Sequence, residues 1–124
     1  MPNHSVTIVT VNYNSLAVLP AMLKSIPAET PVIIVDNASS DTAALKELAD
    51  KHDATLQLNE DNIGFGLACN QGAAQAETEF LLFLNPDAEL QAGALDALIA
   101  AAKAYPNASG FNPRIMDQKG RQSF

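Results

Sequence analysis

Four short apolar runs recur along the chain at about the spacing of one strand plus one helix. Residues 5–11 are rich in β-branched side chains and predict a strand, as do residues 32–35. Residues 55–58 alternate apolar and polar side chains, which indicates a strand near the edge of a sheet. Residues 80–84 are apolar throughout and predict a central strand covered on both faces.

Helical patterns fill the gaps between these runs. Between residues 16 and 26, leucines and an isoleucine recur three or four positions apart, which predicts a first helix. Asn14 or Ser15 is the expected N-cap, and Pro20 must then lie in the first turn. Further helices are predicted at residues 43–51, 66–76 and 95–105.

This alternation of strands and helices predicts an α/β fold with a mostly parallel sheet and right-handed crossovers. The length of 124 residues suits a single domain over residues 1–124. The tail from residue 109 shows one candidate strand around residues 114–116 and then only polar residues, without a closing element. The chain therefore reads as the first half of a larger fold.

Composition narrows the possible functions. The formal net charge of −7 argues against a nucleic-acid partner, although it leaves room for a small anionic ligand held by a metal and backbone N–H groups. Cys69 is the only cysteine, which excludes an internal disulfide and fits a reducing compartment. Residues 1–5 have neither the basic nor the apolar part of a signal peptide. A cytoplasmic protein is expected.

Polar residues end three of the predicted strands. Asn85-Pro86-Asp87 follows the fourth apolar run, Asn12-Tyr13-Asn14 follows the first, and Asp36-Asn37 follows the second. Ligands of open α/β sheets bind outside the carboxyl ends of the strands, where these amides and carboxylates would meet. Carboxylate oxygens are ligands for Mg²⁺ or Mn²⁺. The pattern predicts a nucleotide site with a divalent metal at Asp87.

Each of these segments also has a purely structural interpretation. One of Ser39, Ser40 and Asp41 is expected to cap the following helix. Asn85-Pro86-Asp87 taken alone is equally a turn and a ligand. Asp36 lies too early to cap that helix, so a carboxylate there is free to accept bonds from a base or a ribose hydroxyl. The prediction rests on the convergence of the strand ends.

Other chemistry is disfavoured. Gly64 and Gly66 resemble part of a dinucleotide fingerprint, but the third glycine is missing and the segment follows the third strand instead of the first. His4 and His52 lack metal-ligand spacing and are expected at the surface. Cys69 is expected to be a small packed residue, because the sequence supplies no base for it.

The ordered set of motifs resembles family 2 glycosyltransferases, which have the GT-A fold. It comprises Thr-Val-Asn-Tyr-Asn-Ser at 10–15, Ile-Val-Asp-Asn-Ala-Ser-Ser-Asp at 34–41, the Asn-Ile-Gly-Phe-Gly and Asn-Gln-Gly segments within 62–72, and Leu-Phe-Leu-Asn-Pro-Asp at 82–87. The match spans almost the whole chain. The last motif is most similar to the bacterial, rhamnosyltransferase-like branch, which implies a role in cell-wall or polysaccharide synthesis.

The resemblance implies a role for each matching position. Asp36 would hold the base, and Asp87 would bind the metal on the sugar-nucleotide diphosphate. Asn85 stands where the family has the first Asp of its DxD motif, and Cys69 stands where many members carry Arg. The nucleotide-binding set implied in this way is Thr10, Asn12, Tyr13, Asp36, Asn62, Gly64, Asn70 and Asn85.

The resemblance also implies a reaction. A metal-assisted, inverting enzyme would transfer a sugar from a UDP- or dTDP-sugar to a hydroxyl of a glycan or lipid-linked acceptor, in the cytoplasm or at the inner face of the membrane. The family's catalytic base is expected beyond residue 124, so this chain alone is expected to bind the donor weakly or not at all and not to turn over.

Two alternatives stay open. One is a non-catalytic nucleotide- or protein-binding module with the same half-fold. The other, a receiver-like signalling domain, is disfavoured because the first strand ends on Asn12-Tyr13-Asn14 instead of an acidic pair. Apolar surface left uncovered by a half-fold would also favour self-association.

Overall fold

The computed structural model describes residues 5–117, 119 and 121–123, with side chains as far as residue 121. The chain divides into two compact units, Met1–Leu90 and Gln91–Phe124. The first unit contains the predicted sheet and the candidate site. The single domain expected over residues 1–124 stays a prediction.

The sheet of the first unit has four strands, and all of its pairings are parallel, as predicted. Its order is β3-β2-β1-β4, so the third strand lies at an edge, also as predicted. Since parallel strands run in one direction, all four carboxyl ends lie along the same edge of the sheet. The strands are β1 Val6–Asn12, β2 Val32–Asp36, β3 Thr55–Leu58 and β4 Phe80–Phe83.

Three helices connect these strands: α1 Leu19–Ser25, α2 Thr42–Lys51 and α3 Phe65–Gln75. Helix α1 begins at Leu19 with Pro20 in its first turn, but the predicted N-cap at Asn14 or Ser15 is wrong. The Ser15 carbonyl instead accepts from the backbone N–H groups of Val18 and Leu19, both at 3.1 Å. This turn comes before the helix and moves its start to the proline.

The core lies on both faces of the sheet. On one face, β1 and β2 pack with α1 and α2 around Ile8, Ile34, Leu19, Met22 and Leu45, none of which is exposed to solvent. On the other face, Ile33 and Val35 of β2 pack with Ala68 of α3. This layering is the one expected for strands with apolar residues on both faces.

The prediction that β4 is a central strand covered on both faces is wrong. In the described part of the chain β4 pairs only with β1 and forms the second edge of the sheet. Leu82 packs against the core, whereas Leu81 is 40% exposed and Phe83 is 47% exposed. Successive strand residues point to opposite faces, and only one face of β4 is covered.

The second unit contains α4 Ala94–Ala104 and a two-stranded antiparallel sheet of β5 Ile115–Met116 and β6 Gln122–Ser123. The strand predicted around residues 114–116 is confirmed, but the expected lack of a closing element is wrong. The Asp117 carboxylate accepts from the backbone N–H groups of Lys119 at 2.9 Å and Arg121 at 2.8 Å. This side chain closes a turn within a stretch whose polar composition looks like a loop.

Among the described residues, no helix has the length and apolar character that crossing a membrane requires.

Candidate functional site

The three strand ends singled out in the sequence lie next to one another. Asn12 at the end of β1 is in register with Asp36 at the end of β2. On the other side of β1, the Leu84 backbone N–H donates to the Val9 carbonyl at 3.0 Å, and Asn85 follows directly. The predicted convergence of these polar segments at one edge of the sheet is therefore confirmed.

Asp36 is buried, with 0% of its surface exposed. Its Oδ1 accepts from Asn12 Nδ2 at 2.9 Å and from Ser39 Oγ at 2.6 Å. Its Oδ2 accepts from the Ser39 backbone N–H at 2.9 Å. Both carboxylate oxygens are thus engaged within the protein, and direct contact between Asp36 and a base stays a prediction.

Ser39 joins the Asp36 carboxylate to the loop after β1. Its Oγ accepts from the Asn14 backbone N–H at 2.8 Å while donating to Asp36. Asn14 Oδ1 in return accepts from the Ser40 backbone N–H at 3.0 Å and from Ser40 Oγ at 3.1 Å. These bonds lock the loop of residues 12–15 against the turn of residues 36–40. Tyr13 projects from the locked loop and is 52% exposed.

Asn37 performs a similar task on the side of β3. Its Nδ2 donates to the Gly64 carbonyl at 3.0 Å, and its Oδ1 accepts from Asn59 Nδ2 at 3.1 Å. Asn59 Nδ2 also donates to Gln71 Oε1 of α3 at 2.8 Å. Gly64 has a φ of +87°, which suits glycine, and comes directly before α3. The buried Asn37 side chain therefore fixes the loop between β3 and α3.

The hydrogen-bonding roles of Ser39, Asn37 and Asn59 in shaping the site were not predicted. The spacing Asp-x-x-Ser from Asp36 to Ser39 was the available indication, since Asp side chains bond backbone N–H groups a few residues ahead. No sequence pattern indicated the hydrogen bonds of Asn37 and Asn59, because their partners come from other elements.

Burial separates the predicted site residues into two groups. Thr10 and Asn12 are buried like Asp36, and the atoms Thr10 Oγ1 and Asn12 Oδ1 have no hydrogen-bond partner among the described residues. They form the floor of the strand ends. The exposed group, which is free to contact a ligand, comprises Tyr13, Asn62, Gly64, Asn70, Asn85 and Asp87.

The predicted metal ligand, Asp87, lies in a turn that begins at Asn85, whose carbonyl accepts from the Ala88 backbone N–H at 3.0 Å. No group of three or more His, Cys, Asp or Glu side chains gathers in the described part of the chain, so it holds no such all-protein cage. A single exposed carboxylate does fit Mg²⁺, which keeps several waters and commonly bridges one or two carboxylates and substrate phosphates.

Cys69 lies half-buried in α3, beside the exposed Asn70. Burial raises the pKa of its thiol. The fold therefore favours the neutral thiol of Cys69 over its thiolate.

A parallel α/β sheet with helices on both faces, and with amides and a carboxylate exposed at its carboxyl edge, defines an open α/β fold. The family model described as Glycosyl transferase family 2 matches residues 7–123. The chain therefore belongs to glycosyl transferase family 2.

Relatives support this assignment. The chain is 34% identical over 100 residues to an uncharacterized glycosyltransferase of Mycobacterium tuberculosis, a match that covers 81% of this chain and 44% of the relative. It is 27% identical over 128 residues to the N-acetylglucosaminyl-diphospho-decaprenol L-rhamnosyltransferase of the same organism, with 91% and 42% covered. The chain thus spans a little over two fifths of the length of these curated relatives.

The fold is shared with the crystal structure of Staphylococcus aureus TarS 1-349 in complex with UDP. The TM-score is 0.70 at 22% sequence identity, and the match covers 92% of this chain and 40% of that chain. This likeness confirms the predicted GT-A fold, of which the present chain forms a part.

Proposed function

We propose that this chain is the donor-binding part of a glycosyltransferase that moves a sugar from a nucleoside-diphosphate sugar to an acceptor hydroxyl with inversion. The observation that carries the proposal is the row of exposed amides and one exposed carboxylate at the carboxyl edge of a family 2 fold. The related structure of TarS with UDP supports a pyrimidine nucleoside diphosphate such as UDP as the nucleotide part of the donor, and dTDP is the alternative to test beside it.

The proposed donor contacts follow the burial of the site residues. Tyr13, Asn62, Gly64, Asn70 and Asn85 are exposed and would line the nucleotide. Thr10, Asn12 and Asp36 are buried and would form the floor beneath it. The backbone of the loop that Asn37 fixes would offer further polar groups to the ribose or the base.

Asp87 is the proposed ligand of Mg²⁺ or Mn²⁺. When bound, the metal would neutralise the charge that develops on the diphosphate leaving group. Asn85 supplies an amide oxygen instead of a second carboxylate, so the site has one negative charge fewer than a pair of aspartates. We expect weaker metal affinity for that reason.

A general base must take the proton of the attacking acceptor hydroxyl, and the site residues do not supply it. The acidic residues after Asp87 fit this role poorly: Glu89 and Asp96 are exposed, and the Asp117 carboxylate closes its own turn. We therefore propose that the chain alone does not turn over. The acceptor class proposed is a glycan or lipid-linked sugar, handled in the cytoplasm or at the inner membrane face, because one relative is named for a decaprenol-linked substrate.

The testing experiment is calorimetric titration of UDP and dTDP into the chain, with and without Mn²⁺. We expect weak, metal-dependent binding that Asp87→Ala abolishes. Glu89→Ala is the matched control, since it removes another exposed carboxylate two residues away and should leave binding intact. Metal-independent binding, or equal losses in both variants, would contradict the proposed metal site.

The amide at Asn85 specifically favours a second candidate, a non-catalytic binding module. The substitution Asn85→Asp tests the metal-bound diphosphate on which the first candidate depends. If the site is built for a metal-bound diphosphate, a second carboxylate should strengthen Mn²⁺-dependent UDP binding by about tenfold, the value of one charge-assisted ligand contact. Unchanged or weakened binding would favour the non-catalytic module.

A further inference from the structure

We propose that Ser39 is a positioning residue: its hydroxyl bonds both the buried Asp36 carboxylate and the loop that presents Tyr13, and so holds that loop in place. In this role the Ser39 side chain needs no contact with the donor. The expected effect of Ser39 on nucleotide binding rests on the proposed function. Its expected effect on the order of Tyr13 can be measured without any nucleotide.

The buried Asp36 carboxylate fixes the orientation of the Ser39 side chain. A buried carboxylate is stable only when donors surround it, and here they are Asn12 Nδ2, Ser39 Oγ and the Ser39 backbone N–H. Two of these three donors belong to Ser39. The Ser39 side chain therefore has one strongly preferred orientation, with its hydroxyl hydrogen directed at Asp36 Oδ1.

The same Ser39 hydroxyl also accepts hydrogen bonds. A serine hydroxyl donates once and accepts through two lone pairs. Because its hydrogen is committed to Asp36, its lone pairs face the Asn14 backbone N–H at 2.8 Å and Asn12 Nδ2 at 3.3 Å. Donation to a carboxylate polarises the hydroxyl and makes it a better acceptor. The Asn14 backbone is thereby tied to a buried charge.

Tyr13 lies in the loop that Ser39 contacts through the backbone of Asn14. Asn14 has a φ of +51°, a left-handed conformation that costs free energy unless neighbouring groups hold it. The bond to Ser39 Oγ and the bonds between Asn14 Oδ1 and Ser40 provide that restraint. Tyr13 precedes Asn14 and is half exposed, so its backbone, more than its own packing, sets where the ring lies.

The order of the Tyr13 side chain can be measured by spectroscopy, because the chain has two tyrosines and no tryptophan. In a Tyr105→Phe background, Tyr13 is the only tyrosine, and its near-UV circular dichroism and fluorescence anisotropy report on its order. Ser39→Ala is expected to lower both signals clearly. Ser39→Thr, which keeps the hydroxyl, should restore them. Ser40→Ala, which keeps the backbone bond to Asn14 Oδ1, should stay near the parent.

The same variants are then titrated with UDP and Mn²⁺. We expect Ser39→Ala to weaken binding about tenfold, the value of one lost bond in a charged network, and Ser39→Thr to bind like the parent. If Ser39→Ala does not fold by far-UV circular dichroism, Ser39→Cys replaces it, because a thiol of similar size is a poor hydrogen-bond partner.

The outcomes separate the two proposals. An unchanged Tyr13 signal in folded Ser39→Ala or Ser39→Cys would overturn the positioning role, whatever the nucleotide affinity. If Ser39→Ala loses the Tyr13 signal while the parent protein binds no nucleotide, the result supports the positioning role and counts against the donor site.

Discussion

At the residue scale, Gly72 shows how closely helix and sheet approach near the site. A Cβ built at Gly72 would overlap with Val9 Cγ1 and would lie 3.4 Å from Val35 Cγ2. Both valines belong to strands in the middle of the sheet, so neither can move away freely. The absence of a side chain at residue 72 lets α3 lie directly on β1 and β2.

We expect Gly72→Ala to lower the free energy of unfolding by about 1–3 kcal/mol, the usual cost of overpacking a core. Gly66→Ala is the matched control, because nothing lies within 4 Å of a Cβ at that position of the same helix. That change should be neutral or stabilising by up to about 1 kcal/mol, since alanine favours a helix more than glycine does. Urea denaturation of both variants checks the difference, and equal effects would contradict this packing argument.

Cys69 gives a second prediction for a single residue. Because burial raises the pKa of its thiol in the fold, the fold disfavours the thiolate. The contribution of the neutral Cys69 thiol to the free energy of unfolding is therefore fully present below the ordinary thiol pKa of about 8.5. It is lost as the pH rises through the raised pKa. Alkylation by iodoacetamide at mildly alkaline pH should be several-fold slower in the folded chain than in urea. Equal rates in the two states would contradict this expectation.

The sequence predicted which edge of the sheet holds the candidate site, but it did not predict the hydrogen-bond partners of the side chains there. Strand ends rich in Asn and Asp predicted the edge where Asn12, Asp36 and Asn85 meet. The same pattern did not predict that both carboxylate oxygens of Asp36 accept hydrogen bonds within the protein, from Asn12 and Ser39. Residue type shows that a carboxylate is present, but which donors reach it depends on the turn that follows the strand.

At the element scale, the start of α2 offers a clear test. Asp41 is the N-cap, and its Oδ1 accepts from the Ala44 backbone N–H at 3.4 Å. Asp41→Ala should cost about 1 kcal/mol of stability, and Asp41→Asn, which keeps a capping oxygen, should cost only a small part of that. Thermal denaturation of both variants measures the difference. A loss shared equally by Asp41→Asn would point to charge instead of capping.

The elements that the sequence predicted well are those whose pattern is local. Helices α2, α3 and α4 lie within one or two residues of their predicted ends. The errors concern context: β4 is as apolar as a central strand yet forms an edge, and α1 starts at Leu19 because a turn precedes it. Neither the partner of a strand nor a turn closed by the Ser15 carbonyl can be read from hydrophobic periodicity.

At the scale of the whole molecule, charge and exposed apolar surface oppose each other. The net charge of −7 repels a second copy, whereas the edge strand β4 presents Phe83, 47% exposed, and Leu81, 40% exposed. Unpaired apolar edge strands favour association between chains. Salt screens the repulsion between exposed charges and leaves apolar contacts in place.

We therefore expect the chain to self-associate weakly, with an average mass in sedimentation that rises with protein concentration and rises further at high salt. Phe83→Lys should reduce this association. Val18→Lys is the matched control, because Val18 is 41% exposed and its substitution changes the net charge by the same amount at a position outside the sheet. Equal reductions by both lysines would assign the effect to charge, and a monomeric mass at every concentration in high salt would show that the edge of β4 attracts no second copy.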